Sequence, residues 1–158
     1  AARAELQRQF KDLEKRIVAI GRADDRVRRL VTVPGVGNLV ALTFTTAIDD
    51  PARFRSSRQV GAYFGLTPSR YQSGETDITG RISKIGDHGV RTVLYEAANV
   101  MLTRPVKGSA LKDWALRVAG RAGPRKAKVA LARKLAVILH RMLVDGTTFV
   151  SRPASMTA

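Results

Sequence analysis

Apolar residues first recur at alternating intervals of four and three positions, which is the spacing of a narrow helical stripe. The members of this stripe are Leu6, Phe10, Leu13, Ile17 and Ile20. Strong helix formers fill the positions between them, so we predict a helix over residues 2–20. The polar remaining faces favour a coiled-coil-like helix that pairs with a second copy of the chain in a homodimer or higher oligomer. The alternative is an amphipathic helix that packs on its own domain.

Two helical segments follow, joined by a glycine-rich turn. Residues 27–33 and 39–48 are predicted to be helical, and the turn at 33–37 reads VPGVG. This order is typical of a helix-hairpin-helix element, in which small glycines let backbone N–H groups approach a phosphate closely. We therefore expect Gly35, Gly37 and Asn38 to contact nucleic acid. The alternative is a tight turn that uses glycine only for its geometry.

Capping residues and chain breakers delimit four further helices. Ser56 or Ser57 is suited to cap a short helix that runs to position 64, and Asp87 to cap a helix over 88–102. Ser109 is suited to cap a third helix. Gly123 and Pro124 interrupt the chain and begin the last helix, over 124–144.

Residues 65–91 have no helical period and are rich in Gly, Ser, Thr and basic residues. A long connection inside a compact chain is usually functional, and we expect at most a short β-hairpin within it. Ser73 directly precedes Gly74, and Arg70, Arg81 and Lys84 are close in sequence. We hypothesise that this segment presents a serine hydroxyl to a phosphate. Arg91 lies in the first turn of the next helix, where the helix dipole disfavours a cation, so we expect a phosphate or a carboxylate beside it.

These elements predict a mainly α fold, a compact helical domain with a helix-hairpin-helix element. The expected divisions are a coiled-coil-like linker helix (1–26), the helical domain (27–146) and a frayed tail (147–158). The chain begins within a helical pattern and without methionine, so we expect it to be part of a longer protein.

The charge balance indicates a polyanionic partner. The chain has 28 Lys and Arg against 13 Asp and Glu, a net charge of +15, and no acidic residue occurs between Trp114 and Val144. Such an excess destabilises a compact chain unless a polyanion binds it, and nucleic acid is the natural candidate. On the last helix the apolar face contains Leu131, Leu135, Ile138 and Met142. The basic residues of the opposite side, which we expect to track a nucleic-acid backbone, are Lys126, Arg133, Lys134 and Arg141.

Composition narrows the remaining possibilities. There is no cysteine, which excludes disulfides and cysteine metal sites, and we expect no metal site in this chain. No apolar run is long enough to span a bilayer. The sequence also lacks a basic amphipathic helix with exposed large aromatic residues, which is the pattern of a helix that binds a membrane surface. The sequence has no signal peptide, so we expect a cytoplasmic, nucleoid-associated protein.

Several separate motifs together resemble the C-terminal domain of a bacterial transposase family. The motifs are PGVG, FRSSRQVGAYFGLTP, QSG and GRISKIGDHGVRTVLYEAA, in that order. The family is the insertion-sequence group numbered one-ten, related to Piv-type DNA invertases, and the resemblance covers about residues 30–143. The preceding coiled-coil-like helix is similar to the linker between the two domains of such proteins.

The resemblance implies a fold and a chemistry. Family members have an N-terminal RuvC-like domain whose four acidic residues bind a divalent metal such as Mg²⁺, and a helical domain that supplies a serine nucleophile. A structured bridge RNA directs the recombination of DNA. The serine of the motif corresponds to Ser73, with Ser83 as the second choice, and the acidic residues have no counterpart in this chain.

The residues themselves add a constraint on the mechanism. A serine hydroxyl needs a base or a metal to become nucleophilic, and no convincing Ser-His-Asp arrangement is present. We expect a composite site in which Ser73 attacks the scissile phosphate while Arg70, Arg81, Lys84 and Arg91 stabilise the charge that develops. The alternative function is a non-enzymatic helix-hairpin-helix module that only binds nucleic acid.

Overall fold

The computed structural model describes the backbone of residues 1–73 and 76–151 and the side chains of residues 1–70 and 80–151. Within these ranges the chain forms seven α-helices and one antiparallel pair of strands, so the predicted mainly α class is confirmed. The helices are α1 (Ala2–Ala23), α2 (Asp25–Leu30), α3 (Asn38–Ile48), α4 (Arg58–Tyr63), α5 (His88–Thr103), α6 (Ala110–Ala122) and α7 (Pro124–Asp145). The strands are β1 (Pro68–Ser73) and β2 (Thr76–Ile82). No helix of the described residues is long and apolar enough to cross a membrane.

Helix α7 lies at the centre of the domain because it packs against α4, α5 and α6. Its predicted apolar face is confirmed: Leu131, Leu135 and Met142 are buried and Ile138 packs half-buried against the same core. Helix α3 packs against α5. The large buried side chains of the core, which include Phe44 and Phe64 with ring centroids 5.8 Å apart, fix these helices relative to one another.

Two of the predicted helix caps are confirmed and one is wrong. The Asp87 carboxylate accepts a hydrogen bond from the Val90 N–H (3.0 Å), and the Ser109 hydroxyl accepts one from Lys112 N–H (3.2 Å). Ser57 precedes α4, but its hydroxyl makes no cap hydrogen bond. It lies 2.8 Å from Nδ1 of the buried His140, a residue that the local pattern could not reveal.

Among the described residues, helix α1 packs against α2 and α3, and near its C-terminal end the buried Gly21 lies against the Asn38 side chain. Four of the five stripe residues, Leu6, Phe10, Leu13 and Ile20, expose 55–66% of their surface. Within the described residues, most of this stripe is therefore not packed on the helical domain. Pairing with a second copy stays a prediction.

A capping carboxylate makes the junction between α1 and α2. Asp24 accepts a hydrogen bond from Arg26 N–H (2.8 Å), and the Arg26 guanidinium that hydrogen-bonds the same carboxylate holds the pKa of Asp24 below its ordinary value. The junction therefore keeps its negative charge at the helix N-terminus at neutral pH, where the α2 dipole favours an anion.

The segment after Gly146 is not a frayed tail as far as it is described. The Phe149 N–H donates to the Thr32 hydroxyl (2.9 Å), and the Ser151 carbonyl accepts from Ala110 N–H (3.1 Å). The Phe149 ring packs half-buried against the core. Residues 147–151 thus join the α2–α3 connection to the start of α6, and residues 152–158 lie outside the described part.

The segment predicted as a long loop contains a short β-hairpin, within what the sequence led us to expect. Strands β1 and β2 pair in antiparallel register, with Arg70 opposite Thr79 and Ser73 opposite Thr76. The register shifts between Pro68 and Arg70, so that Gly80 and Arg81 together oppose Ser69. This is the two-against-one arrangement of a β-bulge, which redirects side chains.

Candidate nucleic-acid interface

The base of the hairpin is fixed by close backbone contact between two segments that flank it. Gly65 and Gly86 both have positive φ, of 68° and 88°. A Cβ at Gly65 would lie 2.2 Å from the Ile85 carbonyl oxygen, and one at Gly86 would lie 2.2 Å from the Tyr63 carbonyl oxygen. Only glycine permits both the backbone angle and the approach. We call the contact between residues 63–65 and 83–86 the hairpin base.

Arg91 closes the hairpin base from the first turn of α5. Its guanidinium donates hydrogen bonds to the carbonyl oxygens of Phe64 (3.3 Å), Ile85 (3.1 Å) and Gly86 (3.0 Å). The cation that looked electrostatically awkward is therefore stabilised by backbone dipoles of both segments, and its predicted contact with a phosphate stays a prediction. Ser83 and Lys84 add backbone hydrogen bonds to Thr67 (2.9 Å) and Gly65 (3.0 Å).

The bulge brings β2 residues to the mouth of a groove. Along a regular strand, neighbouring side chains point to opposite faces, yet Gly80, Arg81 and Ile82 all line this groove. The other wall comes from α7 and from Trp114 of α6, and the groove has a volume of about 1050 Å³. We call it the β2–α7 groove.

Six exposed basic residues surround the β2–α7 groove. They are Arg81, Lys84, Arg125, Lys126, Arg133 and Lys134. The described residues that line the groove include no acidic side chain, and within the described part of the chain none of the six pairs with a carboxylate. A one-sign cluster of this kind produces a strong positive potential over the cleft.

The floor of the groove is apolar. The lining residues with apolar side chains, apart from Trp114, are Leu66, Pro68, Ile82, Val129, Ala130 and Val137. Trp114 forms part of the wall, and the Lys134 ammonium lies 4.1 Å from the centroid of its ring. The stem of Arg133 packs over Gly61, where an added Cβ would be 3.1 Å from Cγ. Two of the six cations are thus held in place by their stems or by an aromatic face.

The α2–α3 connection has the order expected of a helix-hairpin-helix element, but its glycines differ in role. Gly35 packs on α5, since a Cβ there would lie 2.8 Å from the Ala97 carbonyl oxygen. Gly37 is exposed at the N-cap of α3 with nothing near its Cβ position. The Asn38 side chain lies against Gly21 of α1. Gly37 is therefore the residue of this turn that an approaching phosphate would meet first.

The structure brings together only some of the residues predicted to bind phosphate. Arg81, Lys84, Lys126, Arg133 and Lys134 meet at the groove. Arg70 is exposed on β1 and is not among the lining residues, and Arg141 pairs with Asp145 (2.6 Å) one turn along α7. Their predicted roles in binding stay predictions.

The two candidate nucleophiles differ in what is described. Ser73 ends β1 opposite Thr76, and its side chain lies outside the described residues. Ser83 is half-buried in the hairpin base, with its hydroxyl 3.5 Å from the Ile85 nitrogen. The hydroxyl of Ser69 donates to the Arg81 carbonyl (3.0 Å). Ser69 and Ser83 are thus tied to local backbone groups.

Sequence reasoning missed two features of the groove. Arg125 belongs to the basic rim and Trp114 to the wall, and neither is among the residues that the sequence predicted for the site. The signal for Arg125 was present, because it shares a helix with Lys126 and the acid-free stretch. Nothing in the sequence around Trp114 indicated that it lines the same groove as β2, because that placement depends on tertiary packing.

A family model described as the Transposase IS116/IS110/IS902 family matches residues 27–114, which is more than half of the chain. The match includes the α2–α3 turn and the hairpin.

Curated relatives agree with this match. The chain is 35% identical over 140 residues to the transposase for insertion sequence element IS1111A of Coxiella burnetii, covering 87% of this chain and 38% of the relative. It is 32% identical over 142 residues to the transposase for IS1328 of Yersinia enterocolitica, covering 89% and 42%. It is 33% identical over 161 residues to a probable family 20 transposase of Pseudomonas aeruginosa, covering 94% and 48%. The chain thus spans less than half the length of these relatives, and it belongs to the IS116/IS110/IS902 transposase family.

Proposed function

We propose that this chain is the DNA-binding and strand-joining part of a bridge-RNA-guided transposase, and that Ser73 is its nucleophile. The observation that carries the proposal is the juxtaposition of the hairpin and the basic groove. The strand that ends at Ser73 pairs with β2, and β2 contributes Arg81 to the rim of the β2–α7 groove. A phosphodiester drawn to those cations would lie beside the hairpin.

The proposed reaction is a phosphoryl transfer to serine. The Ser73 oxygen attacks the scissile phosphorus, its proton passes to a base, and the displaced strand leaves with its oxygen. The products are a phosphoserine link and a free strand end. In the second step the hydroxyl of another strand end attacks the phosphorus of the phosphoserine link, so that the bond to the serine oxygen breaks and the serine takes up a proton. Arg70, Arg81 and Lys84 are the described cations of the hairpin and its base, and in this proposal they stabilise the additional negative charge of the transition state.

The divalent metal that the family resemblance implies would have to be held elsewhere in the protein. Among the described residues, no three His, Cys, Asp or Glu side chains lie close enough together to hold a metal ion. The described histidines do not suggest an alternative base: His140 is buried between Ser57 and the Pro51 carbonyl, and His88 opens α5. We therefore propose a composite site completed by a metal-binding domain.

We also propose that α1 pairs with α1 of a second copy, so that the protein acts as a dimer or a higher oligomer. The support is the exposure of the stripe along most of the helix. Burying such side chains in a helix pair stabilises the pair by roughly 1.5–3 kcal/mol each, relative to leaving them exposed to water.

A second candidate function is a nucleic-acid-binding module without catalysis. The observation in its favour is Gly37, which leaves the N-terminus of α3 open to an approaching phosphate. Both functions predict binding to nucleic acid, and they differ only in whether Ser73 is required for strand exchange.

Substitution of Ser73 in the full-length protein distinguishes the two. Ser73→Ala should reduce strand exchange by at least about 10³-fold, because no other hydroxyl takes its place, while DNA affinity changes by less than a few-fold. Ser69→Ala and Ser83→Ala are matched controls on the same hairpin and should retain activity. Recombination that survives Ser73→Ala, or that is lost instead in Ser83→Ala, contradicts the assignment of Ser73.

A further inference from the structure

We propose that the β2–α7 groove captures an unpaired segment of DNA, with bases inserted over its apolar floor and phosphates held by its basic rim. This inference deepens the proposed function and rests on it, since it names the form of nucleic acid that the groove accepts. It depends on the combination of an apolar floor, an aromatic wall and a one-sign rim in one cleft.

The shape and lining of the groove favour unpaired over duplex nucleic acid. A duplex presents phosphates on its outside and keeps its bases stacked within, so it would cover the basic rim and leave the floor exposed. The floor is a concave surface formed by six apolar residues, and its volume of about 1050 Å³ exceeds what individual phosphate contacts need. Unstacked bases have apolar faces that match such a floor, and proteins that bind single strands combine a basic groove with aromatic side chains in this way.

The polarity of the lining favours DNA over RNA. The side chains of the rim are hydrogen-bond donors only, and those of the floor offer no acceptor. A ribose 2′-hydroxyl that entered the groove would donate its proton to no side chain of the described lining. A deoxyribose has no such group, so it can be buried without that cost. We therefore assign the groove to a DNA segment.

Trp114 makes the groove directly observable because it is the sole tryptophan of the chain. A base that enters beside Trp114 should quench its fluorescence in a saturable manner. The probe is an oligothymidylate of about eight nucleotides, titrated into the 158-residue chain. The comparison strand is an abasic deoxyribose-phosphate oligomer with the same number of phosphates.

The proposal predicts that the oligothymidylate binds at least about 10-fold more tightly than the abasic strand and that it alone quenches Trp114. A blunt duplex, an oligouridylate and an oligoglutamate of equal charge should each bind more weakly than the oligothymidylate and quench less. This comparison uses the unaltered protein, so it does not depend on how a variant folds.

A variant that fills the floor without changing the charge supplies the second arm. Ala130→Leu should weaken oligothymidylate binding by about 10-fold or more and leave binding of the abasic strand unchanged. Ala122→Leu is the matched control, because Ala122 is exposed at the end of α6 and is not among the residues that line the groove.

Each outcome of the titration decides a specific claim. Equal affinity for the thymidylate and abasic strands, or unchanged binding by Ala130→Leu, would show a rim that contacts phosphates only and would overturn the proposal. Equal or tighter binding of the oligouridylate, the duplex or the oligoglutamate would overturn the choice of unpaired DNA. All of these results are compatible with the proposed transposase function, whereas failure to bind any polynucleotide would contradict that function itself.

Discussion

At the scale of single residues, Gly65 is the position where a methyl group should cost most. Gly65→Ala places a Cβ 2.2 Å from the Ile85 carbonyl oxygen at a φ of 68°. We expect the free energy of unfolding to fall by about 2 kcal/mol or more, because either the backbone angle or the hairpin base must change. Urea denaturation monitored by circular dichroism measures this.

The matched control is Gly120→Ala, which makes the same chemical change inside α6. Nothing lies within 4 Å of the added Cβ, and the backbone is helical. This variant should gain roughly 0.5–1 kcal/mol of stability. Destabilisation of similar size in both variants would mean that the close contact at Gly65 is not as described.

Residue-level features were predictable from the sequence where their partners are local. Asp87 and Ser109 cap helices by accepting hydrogen bonds from N–H groups three positions away. Because both partners are close in sequence, the local sequence pattern predicts these caps. Ser57 has the same local chemistry, yet its hydroxyl contacts His140, 83 positions along the chain. A single sequence contains no signal for that choice of partner.

At the scale of elements, the hairpin depends on Arg91 for its attachment to α5. Arg91→Met removes three hydrogen bonds to carbonyl oxygens of the hairpin base but keeps much of the side-chain volume. We expect a loss of about 1.5–3 kcal/mol and faster amide hydrogen exchange at Ser83 and Lys84, whose N–H groups bond across the same contact.

Arg117→Met is the control for the loss of a cation. Arg117 is exposed on α6 and does not line the groove, so stability and the exchange of Ser83 and Lys84 should stay unchanged. If the Ser83 and Lys84 amides of the Arg91→Met variant exchanged hydrogen at the native rate, the hairpin base would be held by the glycine contacts alone.

The positions of the helices could be predicted from the sequence. For the strands, the sequence predicted only that a short hairpin could form within residues 65–91, without its bounds or register. In the helical segments apolar residues recur at helical spacing, and Gly, Pro and capping residues mark where the helices begin and end. The strands are rich in polar residues, and their pairing is fixed at one end by Gly65, Gly86 and Arg91. A two-stranded hairpin is marginal alone and depends on such tertiary contacts, which alternation along the sequence does not express.

At the scale of the whole molecule, the basic rim should govern the salt dependence of DNA binding. The double variant Arg133→Gln, Lys134→Gln removes two rim charges from exposed positions. Each lost phosphate contact lowers the slope of log K against log salt by about 0.7–0.9, so we expect a slope that is flatter by about 1.4–1.8. Fluorescence anisotropy over a range of salt concentrations measures it.

Arg117→Gln is the control for this comparison. Arg117 is exposed on α6 and is not among the residues that line the groove, so its removal should leave the slope nearly unchanged. An unchanged slope in the double variant would remove the rim from the binding surface.

The groove itself could not be predicted from the sequence, although five of its six basic residues were among the residues predicted to bind phosphate. The acid-free stretch of α6 and α7 and the cations of residues 81–84 were both visible as separate patterns. They meet because α7 is the central helix and because the bulge redirects Arg81. That convergence is a property of the folded chain, and so is the apolar floor between the two basic segments.

The central claim is that Ser73 forms a covalent bond to DNA, and peptide mapping of the trapped adduct tests it most directly. The full-length protein is incubated with labelled element-end DNA, denatured, and digested with a nuclease and with trypsin. Cleavage after Arg70 and Arg81 releases residues 71–81, which contain Ser73 as their sole serine, while Ser69 and Ser83 fall in neighbouring peptides. We predict a nucleotide adduct on that peptide, located at Ser73 by fragmentation; an adduct on another peptide, or recombination without any adduct, would contradict the account.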